Sequence, residues 1–321
     1  MVILSSCGAP GDPLPPLLNI PARTTDLEIA QRAGDLILRW TIPSSTTESV
    51  PVRDLDRVVV WGLDLETGAE PAVPFGSAAR ELDRLPAPKP GERTERRLAL
   101  PAPPGRRLAL AVENLNRRGR SEGLSNVVVV EIAAAPQAPR SLRAAAGPAA
   151  IRLEWPAVSA AAGYRVFRAV EGKAPFAPLG EVAAPPFEDA DYRWGARYAY
   201  FVRAFVTTST GSAESADSPV AELVPEDTFA PAPPEGLRAV PTEFSVELSW
   251  NPSPESDAAG YHVYRRDAAG EWARVSASPL AGPTFTDKDV RREQQYSYAV
   301  SALDVKGNES PRSTAVTVTI P

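Results

Sequence analysis

One pattern of strand-forming segments occurs three times along this chain, and its spacing constrains the fold more than any other feature. Ile37-Leu38-Arg39-Trp40, Arg152-Leu153-Glu154-Trp155 and Glu247-Leu248-Ser249-Trp250 each end an alternating run on a tryptophan. A second run follows in each copy: Val58-Val59-Val60-Trp61, Tyr164-Arg165-Val166-Phe167 and Tyr261-His262-Val263-Tyr264. A third closes it: Leu108–Val112, Tyr198–Val202 and Tyr296–Val300. From the second copy to the third, 95 residues separate Trp155 from Trp250, 97 separate Tyr164 from Tyr261, and 98 separate Tyr198 from Tyr296. A repeat at this scale means one folding unit built three times. Period-two alternation ended by turn residues such as Pro156 means half-buried β-strands.

The 321 residues divide accordingly into a flexible tether over 1–19, a divergent copy over 20–133, and two closely matched copies over 136–226 and 231–321. The stretch Glu226–Pro234 is a short proline-rich connection, hence semi-rigid. The chain's one cysteine, Cys7, permits no internal disulfide, so each unit rests on apolar packing alone. The fold class expected is all-β: three tandem immunoglobulin-like antiparallel sandwiches, with Trp40, Trp155 and Trp250 inside.

The two later copies resemble fibronectin type III domains of the bacterial extracellular kind. The resemblance is carried by Trp155 and Trp250, by the Tyr-x-Val strands at Tyr164 and Tyr261, and by the Tyr-x-Tyr-x-Val-x-Ala runs from Tyr198 and Tyr296. The turn Asp304-Val305-Lys306-Gly307-Asn308-Glu309-Ser310 and the spacer Asp227–Pro234 are similar to the family's own. The resemblance implies that Tyr198 and Tyr296 are corner tyrosines whose hydroxyls bond to upstream backbone. The first copy departs from the pattern: Leu108 stands at the corner position, and inserted loops are expected at Ser44–Asp54 and Leu85–Thr94.

At the N-terminus, Leu4-Ser5-Ser6-Cys7-Gly8 resembles the bacterial lipobox, with Gly8–Pro16 as an extended tether. Only six residues precede Cys7, fewer than the charged and apolar regions of a secretory signal need. An incidental thiol is the competing reading. Lipidation at Cys7 would place the protein at a bacterial cell envelope, on the periplasmic or cell-surface side, held to the membrane by acyl chains. Arg outnumbers Lys 30 to 4, the bias of a GC-rich genome.

Net charge is −6, from 34 basic and 40 acidic residues, with no strongly basic copy, so no nucleic-acid partner is expected. No hydrolase, metalloprotease, phosphate-loop or dinucleotide fingerprint occurs, and neither does Arg-Gly-Asp. The single histidine, His262, has no second ligand beside it and is expected on the exposed sheet face opposite Tyr261 and Val263. The acidic clusters Glu188-Asp189-Ala190-Asp191 and Asp287-Lys288-Asp289 fall at equivalent places in two copies and are expected to cap turns, with calcium binding or acid–base work as alternatives. No metal, cofactor or catalytic residue is assigned. Arg117, Arg118 and Arg120 form a loop able to hold an anion bidentately, or a plain solvated loop. Arg93, Arg96, Arg97, Arg106 and Arg107 add basic residues before the strand at Leu108, though local acids can neutralise them. Trp194, Trp272 and Phe176 lie off the strand pattern and serve either as lids on the open core edge or as stacking faces for sugar rings. The reading reached from the sequence is a non-enzymatic, envelope-anchored spacer and interaction platform for an unidentified envelope protein. The alternative is a carbohydrate-binding accessory of a polysaccharide-processing system.

Overall fold

A computed structural model describes residues 18–66, 75, 78–86, 88–171, 175–268 and 270–321. Cys7 and the rest of residues 1–17 lie outside the described residues. The chain divides into two compact units. One comprises Met1–Ala144, Leu153–Glu188 and Arg197–Leu223; the other comprises Ala145–Arg152, Asp189–Ala196 and Val224–Pro321.

The first sandwich contains β1 (Glu28–Arg32), β2 (Asp35–Thr41), β3 (Leu55–Leu65), β4 (Arg80–Pro86), β5 (Arg93–Ala99), β6 (Arg107–Asn116) and β7 (Val128–Glu131). One sheet has the order β1-β2-β5 and the other β4-β3-β6-β7. Alternate residues of β2, Leu36, Leu38 and Trp40, pack against Val58 and Val60 of β3 and Leu108, Leu110 and Val112 of β6. Only the ends of the expected loop Leu85–Thr94 are strand: Leu85 and Pro86 belong to β4, and Arg93 and Thr94 to β5. Both are edge strands, where charged side chains guard the unpaired ladder and thin out the apolar alternation that marks a strand. Their arginines are neutralised locally: Arg93 by Glu28 at 2.8 Å, Arg96 by Asp83 at 2.5 Å.

The second sandwich contains β8 (Arg143–Ala146), β9 (Ile151–Glu154), β10 (Gly163–Val170), β11 (Ala177–Val182), β12 (Phe187–Asp189), β13 (Tyr198–Thr208), β14 (Gly211–Glu214) and β15 (Ala221–Leu223). β12-β9-β8 form one sheet; β11-β10-β13-β14 form the other, with β15 on β13. Trp155 packs edge-on against Tyr164 at 5.4 Å, and the Tyr164 hydroxyl accepts from Val158 N at 2.6 Å.

The first two sandwiches are joined by more than a linker. β14 pairs in parallel with β1, Gln31 opposite Ala213 and Arg32 opposite Glu214, so a single sheet runs from β11 to β5. Ala33 N donates to Glu214 O at 2.7 Å, and Ser209 N and Oγ donate to the Glu131 carboxylate at 2.8 and 2.5 Å. The outer face of β10 and β13 explains why β1 docks there. Arg165 lies opposite Arg203, and Phe167 opposite Phe201, their rings stacked at 4.6 Å and 15°. The Arg203 guanidinium lies over Phe167 at 4.5 Å and Phe201 at 5.0 Å. Two facing guanidiniums repel unless an anion joins them. Glu214 does so, accepting from Arg165 and, at 3.1 Å, from Arg203, with Arg32 of β1 at 3.7 Å. Burial opposes the charge on Arg165, but hydrogen bonds to Glu214 and Glu181 hold its pKa above the ordinary arginine value.

The third sandwich contains β16 (Arg238–Pro241), β17 (Val246–Ser249), β18 (Ala258–Asp267), β19 (Ala273–Arg274), β20 (Thr284–Asp287), β21 (Gln295–Asp304) and β22 (Val316–Thr319), in sheets β16-β17-β20 and β19-β18-β21-β22. It repeats the second in detail: Trp250 meets Tyr261 at 5.4 Å, and the Tyr261 hydroxyl accepts from Ser253 N at 2.7 Å. Val246, Leu248, Tyr298 and Val300 complete the core. The Tyr296 hydroxyl accepts from the upstream Arg291 N at 3.2 Å. Trp40, Trp155 and Trp250 are buried with no hydrogen-bond partner for Nε1. Each unmet donor costs about 1–3 kcal/mol, which burial of the indole must outweigh.

Candidate functional site

Four loops of the second unit form a cleft of about 400 Å³ lined by Pro148, Trp194, Asp227, Phe229, Glu255 and Asp257, among others. Trp194 opens the turn between β12 and β13, where Gly195 takes φ +77°, a left-handed value that favours glycine, and donates its N–H to Pro225 O at 2.8 Å. Tyr192 braces the indole from the side, rings perpendicular at 4.9 Å, and donates its hydroxyl proton to Gly147 O at 2.8 Å. Burial and nearby Asp227 raise the Tyr192 pKa, so it stays a donor. Phe229, on the connection, faces Trp194 at 6.0 Å and 33°. The two rings make a tilted, half-exposed apolar wall.

Carboxylates make the polar rim. Asp227 orders the connection by accepting from Phe229 N at 3.3 Å, and its carbonyl accepts from Asn308 Nδ2 at 3.1 Å. Glu255 accepts from Ser253 Oγ and from Ala232 N at 3.1 Å, which depresses its pKa. Carboxylate oxygens of Asp227, Asp257 and Asp304 lie within 4.8 Å of one another, near enough to share a divalent cation. Asp304 has another task. Its Oδ1 accepts from Lys306 N and Asn308 N, both at 2.8 Å, and Oδ2 from Asn308 Nδ2 at 2.7 Å. Burial works against its ionisation, but these bonds hold its pKa below the ordinary value. An apolar ring wall beside hydrogen-bond acceptors is the chemistry that receives a sugar, C–H face on the rings and hydroxyls to the acids.

The other residues singled out from the sequence are dispersed. Arg117, Arg118 and Arg120 are exposed on a turn built by buried Asn116, whose Oδ1 accepts from Arg118 N at 3.0 Å and Arg120 N at 2.9 Å; Arg117 pairs with Asp54 at 3.5 Å. Asp189 Oδ1 accepts from Asp191 N at 3.1 Å and Asp287 Oδ1 from Asp289 N at 3.0 Å. Asp287 also binds Arg265 at 2.8 Å and the Tyr298 hydroxyl at 2.9 Å, a buried network that turn chemistry did not suggest. Phe176 packs edge-on against Phe201 at 4.8 Å. Trp272 lies on the outer face of the third sandwich with the Arg266 guanidinium at 4.8 Å. His262 is a correction. It faces away from Tyr261 and Val263, but it is only 5% exposed. β19 and the segment after it cover it: Ser276 Oγ lies 3.3 Å from Nδ1, and Arg274 Nη1 lies 3.4 Å from Nε2. Alternation gives the face of a residue but not what later chain covers that face.

This all-β architecture of repeated two-sheet units defines a class: the protein is built of tandem fibronectin type III-like sandwiches. No protein-family profile matches the chain. It is 36% identical over 162 residues to exoglucanase B of Cellulomonas fimi, which covers 49% of this chain and 14% of that protein. To amylopullulanase of Thermoanaerobacterium saccharolyticum it is 39% identical over 88 residues, 27% of this chain and 7% of that one. A Fn3-like protein from Clostridium thermocellum is 30% identical, aligned over 29% of this chain and 96% of its own, with a TM-score of 0.26. The chain thus matches only a small fraction of the length of the two enzymes.

Proposed function

We propose that this protein is a non-enzymatic accessory module of a polysaccharide-processing system, binding a glucan chain in the cleft walled by Trp194 and Phe229. The observation that carries the reading is that ring pair beside Asp227, Asp257 and Glu255. Supporting it, the matched relatives are named as an exoglucanase and an amylopullulanase, and the matched share of each is short, as befits a module carried beside a catalytic part. In this reading the sandwiches are a rigid scaffold and the loops hold the ligand. Acylation of Cys7 fixes the protein to a bacterial envelope, where it also serves as spacer and interaction platform.

Calorimetric titration with cellohexaose and with maltohexaose tests the binding. Saturable heat with either sugar, lost in Trp194→Ala without a change in melting temperature, is the expected result. No binding of either sugar, or binding untouched by the substitution, refutes the cleft assignment. Anchoring is tested separately: protein from its native host should partition into detergent, and Cys7→Ser should release it.

A further inference from the structure

On the outer face of the third sandwich, two arginines lie over two aromatic rings, with a third on the neighbouring strand. Arg266 of β18 lies over Trp272 at 4.8 Å; Arg312 lies over Tyr264 at 4.4 Å and near Trp272 at 5.6 Å. Arg274 lies on β19 directly opposite Tyr264. None of the three guanidiniums has an ion-pair partner among the described carboxylates. The carboxylate that packs into this face, Glu309, is engaged by the Tyr264 hydroxyl and, at 2.5 Å, by Ser301 Oγ. Stacking on a ring holds a guanidinium flat, at little entropy cost on ligand binding, and leaves its in-plane N–H fork free for a bidentate anion.

We propose that this face is a second binding site, distinct from the Trp194 cleft, for carboxylate groups on an acidic polysaccharide. The second sandwich supplies an internal comparison: there Arg203, likewise over aromatic rings, has its carboxylates in Glu214 and Asp217 at 3.1 and 2.5 Å. In the third sandwich Arg265, over Tyr296, likewise has its carboxylate in Asp287, whereas Arg266 and Arg312 lack that partner and leave room for an anion from outside. The charge distribution argues against a nucleic acid. Residues 231–321 hold nine Lys and Arg against twelve Asp and Glu, net −3, so this copy lacks the broad basic surface that marks a nucleic-acid binder. The rings are also occupied by guanidiniums rather than free to stack on bases. A uronate carboxylate matches the planar guanidinium fork in bidentate geometry and asks nothing of the occupied rings.

Affinity electrophoresis of the full chain through gels containing polygalacturonate tests the site. The wild-type protein should be retarded, less so as salt rises. Arg266→Ala/Arg312→Ala should weaken retardation by roughly tenfold per guanidinium, the size of a hydrogen bond to a charged group. Arg266→Lys/Arg312→Lys, which keeps the charge but not the planar fork, should fall between them. Trp194→Ala should bind polygalacturonate normally, which separates this site from the cleft. An unretarded wild type overturns the proposal, as do double variants retarded equally with melting temperatures unchanged. Equal or tighter binding to single-stranded DNA or to polyglutamate also overturns it.

Discussion

Replacing Glu214 tests whether the first two sandwiches are mechanically one body. The Glu214 carboxylate is 11% exposed, and Arg203 beside it 9%. Glu214→Ala leaves Arg203 with Asp217, itself 48% exposed, as its remaining carboxylate. An under-compensated buried guanidinium costs about 2–3 kcal/mol. Arg165 is 34% exposed and keeps Glu181, and Arg32 stands off at 3.7 Å, so each adds under about 1 kcal/mol after solvent screening. The sum is about 3–4 kcal/mol, and Glu214→Gln, which retains one acceptor oxygen, should lose about half. Urea denaturation, followed through the transition of the first unit, measures the loss. A double-mutant cycle with Arg203→Ala should give a coupling above about 1 kcal/mol. A loss below about 0.5 kcal/mol for Glu214→Ala would show that the backbone pairing of β14 with β1 holds the joint by itself, and the charge argument would fail.

Trp250→Ala should destabilise the third sandwich by about 3–5 kcal/mol in urea denaturation, whereas Trp250→Phe, which keeps a ring and deletes the unmet indole donor, should cost about a third of that; equal losses would mean that ring burial is not the source. Hydrogen bonds hold the Asp304 pKa below its ordinary 3.8, so its contribution is present above that value and is lost as pH falls through the folded pKa. The acid limb of the stability curve should therefore flatten in Asp304→Asn. Burial, aided by Arg274, lowers the His262 pKa below 6.5. The unfolded chain then takes up the proton first, and stability should decline as pH drops below 6.5. Because the chain has one histidine, a single imidazole NMR titration reads this directly, and a midpoint at or above 6.5 refutes it. Calcium should leave the melting temperature unchanged if Asp304 is engaged as a turn cap, and a rise of several degrees would assign the Asp227, Asp257 and Asp304 cluster to a cation instead.

What could be read in the sequence was what obeys local periodicity. The tryptophan strands and the Tyr-x-Tyr runs are apolar on one face and carry their own signature. Strands β4 and β5 were hidden because Arg80-Glu81-Leu82-Asp83-Arg84 and Arg93–Arg97 are edge strands rich in charge. The joint between β14 and β1 was hidden because pairing between distant segments has no period at all. It did leave a trace: Phe201, Arg203 and Phe205 alternate on a face that should be polar in a free-standing sandwich, and all three are buried. The cleft was half legible. Trp194 stood out as an aromatic off the pattern, but its partners Phe229 and Asp257 come from segments that only the tertiary fold brings together.

The second and third sandwiches show why a shared core says little about what each copy does. Arg165 and Arg203 face one another across β10 and β13; at the corresponding places of β18 and β21, His262 faces Ser301. Glu214 lies opposite Phe205, as Glu309 lies opposite Leu303. The lattice of positions is the same, yet the energetics differ. In the second copy the facing guanidiniums bring Glu214 into a charged cluster that Arg32 of the neighbouring sandwich joins, and the face is consumed in assembly. In the third the facing pair is neutral and satisfied within the copy, so the cations displaced to Arg266 and Arg312 keep their hydrogen-bonding capacity. Apolar packing on the inner faces therefore fixes what the copies share, and the placement of a few arginines on the outer faces decides whether a copy joins its neighbour or remains open to a ligand.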